Sequence, residues 1–185
     1  MPRCSIAAVT DEHPRNRRID RVLDPAFLDG LGAIDLDDLR SRRDEALAER
    51  EYLSLLRRLL QGRAEILKAE MQGRGAGTSA PLVDRLSQIL AEDEPAGSSR
   101  GEALSIALPE EELLRARRRV ERLAGDAGIS DPTALDDDAL ATAVDSLSTE
   151  ERAISDARRA VMDALDVVQD ELKRRYKDDP TLALR

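Results

Sequence analysis

Residues 136–176 read DDDALATAVDSLSTEERAISDARRAVMDALDVVQDELKRRY, a run without proline or glycine. Within it Leu140, Leu147, Ile154, Val161 and Val168 recur every seven residues, the period of a coiled-coil seam. An earlier proline-free run, from Leu36 to about Gln72, carries Leu39, Ala46, Leu53, Leu60 and Leu67 at the same period. Each later member lies 101 residues after an earlier one (39 to 140, 67 to 168). The openings match at that offset as well, Ile34-Asp35-Leu36-Asp37-Asp38-Leu39 against Leu135-Asp136-Asp137-Asp138-Ala139-Leu140. Their acidic runs suit helix N-termini, where carboxylates meet the positive end of the macrodipole. The prediction is an all-α protein whose two long helices pair within one chain as an intramolecular coiled coil, with additional short helices. An antiparallel pair brings the end of the first helix, near Gln72, close to the start of the second, near Asp136. A parallel pair makes the connector travel back roughly 50 Å, at 1.5 Å per residue over about 35 residues.

Composition agrees. Among 185 residues the aromatics are Phe27, Tyr52 and Tyr176, and 36% of residues are charged. A sandwich, barrel or doubly wound sheet has little here to pack. The net charge of −9 opposes sequence-independent binding to duplex nucleic acid, so no direct DNA binding is expected and a basic protein is the favoured partner. No segment approaches ~18 uninterrupted apolar residues, and the apolar stretch Ile6 to Val9 is too short for a secretion signal. The lone Cys4 has no internal disulfide partner, which fits a reducing compartment, and the expected location is cytoplasmic.

Catalytic chemistry has little to work with. The single histidine, His13, sits among Asp11, Glu12, Pro14, Arg15, Asn16, Arg17 and Arg18, with no apolar periodicity to position it. His13 and Cys4 offer no metal-ligand spacing, and the acidic runs lack the glycine-centred loop of a calcium site. Gly73-Arg74-Gly75-Ala76-Gly77 follows a helix and reads as its stop, not as a phosphate loop. Neither an enzyme nor a metal site is expected.

Outside the seam the chain divides into five segments. Residues 1–20 read as a disordered tail. Residues 21–72 hold a short helix over Asp24 to Leu31, with Pro25 in its first turn, and the first long helix. Residues 73–134 form a connector with amphipathic helices at 79–92 and 109–124 and a flexible linker at 94–101. The second long helix occupies 135–177, and 178–185 is a C-terminal tail opened by Asp178-Asp179-Pro180.

A heptad explains the shared apolar positions but not shared polar residues off the seam. Those exist: Ser54 corresponds to Ser155, Arg57 to Arg158, Arg58 to Arg159 and Glu65 to Asp166, while Gln61 corresponds to Met162 and Arg50 to Glu151. At about 100° per residue, positions 4 before and 3, 7 and 11 after the serine fall near −40°, −60°, −20° and +20°. They make one stripe about 80° wide, centred roughly 80° from the seam, so the polar groups flank the helix contact. A ligand-free scaffold with solvated, ion-paired faces accounts for such a stripe on one helix; its repetition in register on a second helix puts a ligand-binding reading on an equal footing with the scaffold. Arginine offers a planar fork for the O6/N7 edge of guanine, stacks on bases and neutralises phosphate, and a carboxylate accepts from guanine N1 and N2. A ligand with two guanines, two phosphates and two-fold symmetry suits paired stripes, and cyclic di-GMP has that chemistry.

At these residues the sequence resembles the RsiG family, actinobacterial anti-sigma factors that depend on cyclic di-GMP. Glu151-(x)3-Ser155-(x)2-Arg158-(x)3-Met162-(x)3-Asp166 and Ser54-(x)2-Arg57-(x)3-Gln61-(x)3-Glu65 are similar to its duplicated Glu-(x)3-Ser-(x)2-Arg-(x)3-Gln-(x)3-Asp signature. Met162 stands where the signature has Gln, Arg50 where it has the leading Glu, and Glu65 where it has Asp. The resemblance implies that Ser54, Arg57, Gln61, Glu65, Glu151, Ser155, Arg158, Met162 and Asp166 bind two cyclic di-GMP molecules per chain. It implies further that the loaded monomer sequesters a WhiG-type, flagellar-type sigma factor in a 1:1 complex and represses sporulation genes.

Overall fold

A computed structural model describes residues 17–75, 108–126 and 131–184. These residues form helices α1 (Arg18–Val22), α2 (Leu36–Gly75), α3 (Glu110–Asp126) and α4 (Asp137–Asp178), with single 3₁₀ turns at Pro25–Phe27, Pro132–Ala134 and Pro180–Leu184. No strand occurs among the described residues, and the all-α expectation holds. The helix expected at 79–92 and the linker at 94–101 lie outside the described residues.

The duplicated openings are duplicated caps. Asp35 Oδ1 accepts from the Asp38 N–H at 2.7 Å, and Asp136 Oδ1 accepts from the Ala139 N–H at 2.7 Å. Each satisfies one of the donors a helix start leaves without an intrahelical acceptor. A second local device recurs three times. Asp24, Asp131 and Asp179 each precede a proline and accept the N–H two residues on, at 2.9, 3.0 and 3.0 Å. Proline fixes φ for the turn, and the carboxylate bond stops it being extended into the next helix.

The described chain forms two compact units. The first joins 17–50 with 159–184, and its core is Val22, Phe27, Leu31, Leu39 and Ala46 with Val161, Ala164, Leu165, Val168 and Leu172. Its helices run antiparallel, since Arg40, near the start of α2, donates to the Tyr176 hydroxyl near the end of α4 at 3.1 Å. Arginines fasten the irregular segments by donating to main-chain carbonyls that have no helical partner. Arg40 reaches Leu182 O at 2.7 Å, Arg175 reaches Leu31 O at 2.6 Å, and Arg42 reaches the carbonyls of Phe27 and Asp29. With one phenylalanine in the whole chain, these forks fix loops that larger side chains would otherwise pin.

The second unit comprises 51–158. It buries Leu53, Leu56, Leu60, Ala64, Leu67 and Ala69 of α2, Leu140, Ala143, Leu147 and Ile154 of α4, and Ala116, Val120 and Ala124 of α3. The α3 residues are spaced four apart, one face of a helix. Arg74, near the end of α2, donates to Leu135 O at 2.7 Å, Pro132 O at 3.1 Å and Asp137 Oδ1 at 3.0 Å, so here too α2 and α4 run antiparallel. All ten heptad positions are buried, none more than 5% exposed. Burying a leucine contributes about 1.5–3 kcal/mol, so these side chains carry most of the pairing.

Several boundaries differ from the sequence reading. The last residues of the expected tail belong to α1, held where Arg18 donates to Glu49 at 2.7 Å. The short helix over 24–31 is a three-residue 3₁₀ turn, because the Asp24 cap and Pro25 close a turn that nothing propagates. Helix α2 passes through Gly73 to Gly75, with Arg74 bound at both its own helix and the turn before α4. The C-terminal residues 180–184 form a turn, tied by Arg40 at Leu182 O. No helix among the described residues is long and apolar enough to cross a membrane.

Candidate functional site

The serine stripes meet in the unit formed by 51–158. With α2 and α4 antiparallel in this unit, hydrogen bonds cross from Arg57 to Glu151 and from Arg158 to Ser54. Arg57 Nε donates to Glu151 Oε1 at 2.8 Å, and Gln61 Nε2 donates to the same oxygen at 3.2 Å. Ser155, one turn along α4, donates its hydroxyl to Glu151 Oε1 at 3.0 Å. Arg158 Nε donates to Ser54 Oγ at 2.9 Å. Six of the nine expected site residues are therefore hydrogen-bonded across or along the two helices, in two groups: Arg57, Gln61, Glu151 and Ser155 around one carboxylate oxygen, and Ser54 with Arg158. All six are half-buried, as groups flanking a helix seam should be.

Electrostatics make the cluster lopsided. The Arg57 guanidinium, followed by the Ser155 hydroxyl, holds the Glu151 carboxyl below the usual carboxylate range, against the opposing effect of burial. Arg158 forms no ion pair among the described residues; its partner is the neutral hydroxyl of Ser54. The cause lies in the sequence, because α2 has Arg50 where α4 has Glu151. One arginine is thus held by a carboxylate and its repeat counterpart by a hydroxyl.

The remaining three expected residues stand apart. Glu65 is exposed and paired with Lys68 of its own helix at 2.8 Å. Met162 is half-buried and Asp166 exposed, and both belong to the other compact unit. Asp166 makes no hydrogen bond or ion pair among the described residues. The sequence reading placed each residue correctly on its helix but did not pair the helices residue by residue. It also missed Arg152, whose charge further favours the ionised form of Glu151.

The arrangement brings two guanidiniums and one carboxylate, with one of its oxygens accepting three donors, to the flank of the helix seam. Among the described residues no group of histidine, cysteine or carboxylate side chains is arranged to hold a metal ion. A family model described as RsiG-like matches residues 25–90 and 126–184, more than half of the chain. No curated protein matches it.

Proposed function

From the premise that the chain belongs to the RsiG-like family, we propose that it is an anti-sigma factor controlled by cyclic di-GMP. In this reading the loaded protein binds a WhiG-type sigma factor 1:1 and withholds it from sporulation promoters, without contacting DNA and without catalysing a reaction. The observation that supports it most is the cross-helix cluster, in which arginines at equivalent positions of the two repeats each bond a polar group of the opposite helix.

Ligand binding is then an exchange of partners. The nucleotide offers acceptors to Arg57 in place of Glu151, and the released carboxylate accepts from the guanine N1–H and N2–H edge. Gln61 and Ser155 keep their bonds to Glu151 Oε1 in this exchange, and the second carboxylate oxygen turns to the guanine edge. Two ligands per chain are what the resemblance to the RsiG family implies. The sigma factor selects the loaded form, and by linkage must tighten nucleotide binding by the same factor. Ala46 is a small residue in the seam, fully buried, and on this reading it is the layer at which the helix pair loosens.

The same pairs favour a second reading. Because Arg57 and Arg158 already have partners, the cluster also serves a scaffold that needs no ligand. Titration calorimetry with cyclic di-GMP separates the two, and Arg57→Ala and Arg158→Ala are each expected to weaken binding. Unchanged binding in the double variant removes the site assignment. A sigma-factor pull-down of equal strength with and without the nucleotide removes the proposed control.

A further inference from the structure

Helix α3 reverses the charge of the chain that carries it. Residues 115–122 hold five arginines, Arg115, Arg117, Arg118, Arg119 and Arg122, and one carboxylate, Glu121, so eight positions carry +4 in a protein of net −9. No eight-residue window elsewhere in the chain exceeds +3. The charge is also patterned. Arg115, Arg118, Arg119 and Arg122 stand at i, i+3, i+4 and i+7, the spacing of one helix face. With Val120 at zero and about 100° per residue, the buried Ala116, Val120 and Ala124 span about −40° to +40°, and the four arginines fall between about 160° and 260°. Arg115, Arg118 and Arg122 are exposed, and Arg119 is half-buried.

That spacing sets like charges beside one another. Arg115 neighbours Arg118 and Arg119, and Arg122 neighbours the same two, all at i,i+3 or i,i+4, where like charges weaken a helix. Between Glu112 and Gly125 no carboxylate falls on the arginine arc. Glu111, one turn before it, meets Arg115 alone, at 3.4 Å and with side chains 84% and 56% exposed, a contact that water screens. Solvation of a surface helix needs mixed signs, and this face has one. A row of carboxylates laid against it turns the mutual repulsion into attraction, and each guanidinium fork can take a carboxylate through two bonds.

The surroundings select the kind of occupant. A helix that lies in a membrane surface needs its apolar face for the lipid, and α3 spends that face in the core of its unit at Ala116, Val120 and Ala124. Duplex nucleic acid meets the net negative charge beyond the arc. Leu114, 41% exposed, lies near 120°, at the edge of the arc and one turn before Arg118, and gives it an apolar contact that a protein partner can use.

We propose that the arginine face of α3 is a docking surface for an acidic amphipathic helix of a partner protein, with carboxylates at the spacing of Arg115, Arg118, Arg119 and Arg122 and an apolar side chain against Leu114. These residues lie outside the stretches that match the RsiG-like family, and the inference does not depend on the cyclic di-GMP reading. Attraction between the two charge rows brings the partner in, and the leucine contact helps to hold it.

The test is fluorescence anisotropy on the full chain with a labelled helical peptide of about 15 residues, carrying glutamates at i, i+3, i+4 and i+7 beside two leucines, and with its glutamine counterpart. At about 50 mM NaCl the glutamate peptide should bind at least about tenfold more tightly than the glutamine one, and Arg118→Gln with Arg122→Gln should lose about tenfold. The loss should shrink to about twofold at 300 mM NaCl, where exposed charges are screened. Arg58→Gln with Arg63→Gln, which removes as much exposed charge from the same unit, should change affinity less than about twofold. Leu114→Ala should weaken binding about threefold at both salt concentrations. The melting temperature of Arg118→Gln with Arg122→Gln should equal or exceed that of the wild type, because repulsion within α3 is relieved. No binding of the glutamate peptide, equal binding of the two peptides, an equal loss in the Arg58 and Arg63 variant, or a lowered melting temperature overturns the proposal. Tighter binding of a random-sequence DNA duplex or of phosphatidylglycerol vesicles, lost in the same α3 variant, overturns it as well and gives the face to that ligand.

Discussion

Glu49 is the one charged residue buried among the described residues, 4% exposed, and its guanidinium partner comes from the short helix that precedes the coiled coil. Arg18 Nε donates to Glu49 Oε2 at 2.7 Å, and Arg18 also donates to Ala48 O at 3.2 Å. The perturbation is Arg18→Met, which keeps much of the stem and deletes the charge. Removing one partner of a buried pair costs about 3–5 kcal/mol, because the other charge is left desolvated. Arg18 itself is 21% exposed, so water reaches the site in part and the lower end of that range applies. The expected loss is about 3 kcal/mol, a large share of the 5–15 kcal/mol that holds a typical domain. Adding Glu49→Gln removes the stranded charge and should recover about 1 kcal/mol or more of it, since an amide costs less to bury than an anion. The neighbouring pair Arg17 with Asp20 is the exposed comparison: its side chains are 53% and 30% exposed, Arg17 also feels the charge of Glu49 at longer range, and Arg17→Ala should cost less than about 1 kcal/mol. Urea denaturation followed by far-ultraviolet circular dichroism measures all three variants against the wild type. A loss below about 1 kcal/mol in Arg18→Met, or no recovery in the double variant, refutes the burial argument.

Gly62 lies inside α2 with nothing within 4 Å of an added Cβ, so Gly62→Ala should stabilise the protein by about 0.5–1 kcal/mol; an unchanged or lowered melting temperature contradicts this. Arg174 and Arg175 hold the Glu171 carboxyl down at about 2, against the usual 4.5. A depressed carboxylate stabilises the fold above its unfolded value, so this contribution should be complete above about pH 4.5 and fade towards pH 2. Thermal melts across that window should show the wild type losing more than Glu171→Gln, and parallel losses would refute the assignment. If Asp166 reads the guanine donor edge, Asp166→Asn presents an NH₂ where an acceptor is needed and should weaken cyclic di-GMP binding by about 1–3 kcal/mol. A wild type without preference over cyclic di-AMP, or a variant that keeps full preference, sinks that role even if a nucleotide still binds.

The helices were legible in the sequence because their signals are local or periodic. Leu39 to Leu67 and Leu140 to Val168 announced the seam by period alone, and all ten side chains are buried. The caps Asp35 and Asp136 were readable from carboxylates placed just before an apolar repeat. Pairings across long separations were not. Arg18 looked like part of a solvated basic tail because its carboxylate stands 31 residues further on. Arg74, inside a glycine-rich run that reads as a stop, binds carbonyls about 60 residues away, and no pattern within the run encodes them. The candidate site falls between these cases. Residue types and helix phases were visible, whereas the contact of Arg57 with Glu151 needed the antiparallel register.

The nesting of the two units sets an order of events during synthesis. Residues 51–158 are contiguous, so that unit can close as soon as its last residue leaves the ribosome. The other unit joins 17–50 to 159–184, and its early half must wait for Tyr176 and Leu182 before Arg40 has anything to grip. The first strap made is therefore among the last fastened. A chain cut short after residue 158 would keep all six hydrogen-bonded polar residues of the candidate site while leaving the apolar faces of Val22, Phe27 and Leu39 uncovered. For such a product, loss of solubility would precede loss of the binding residues.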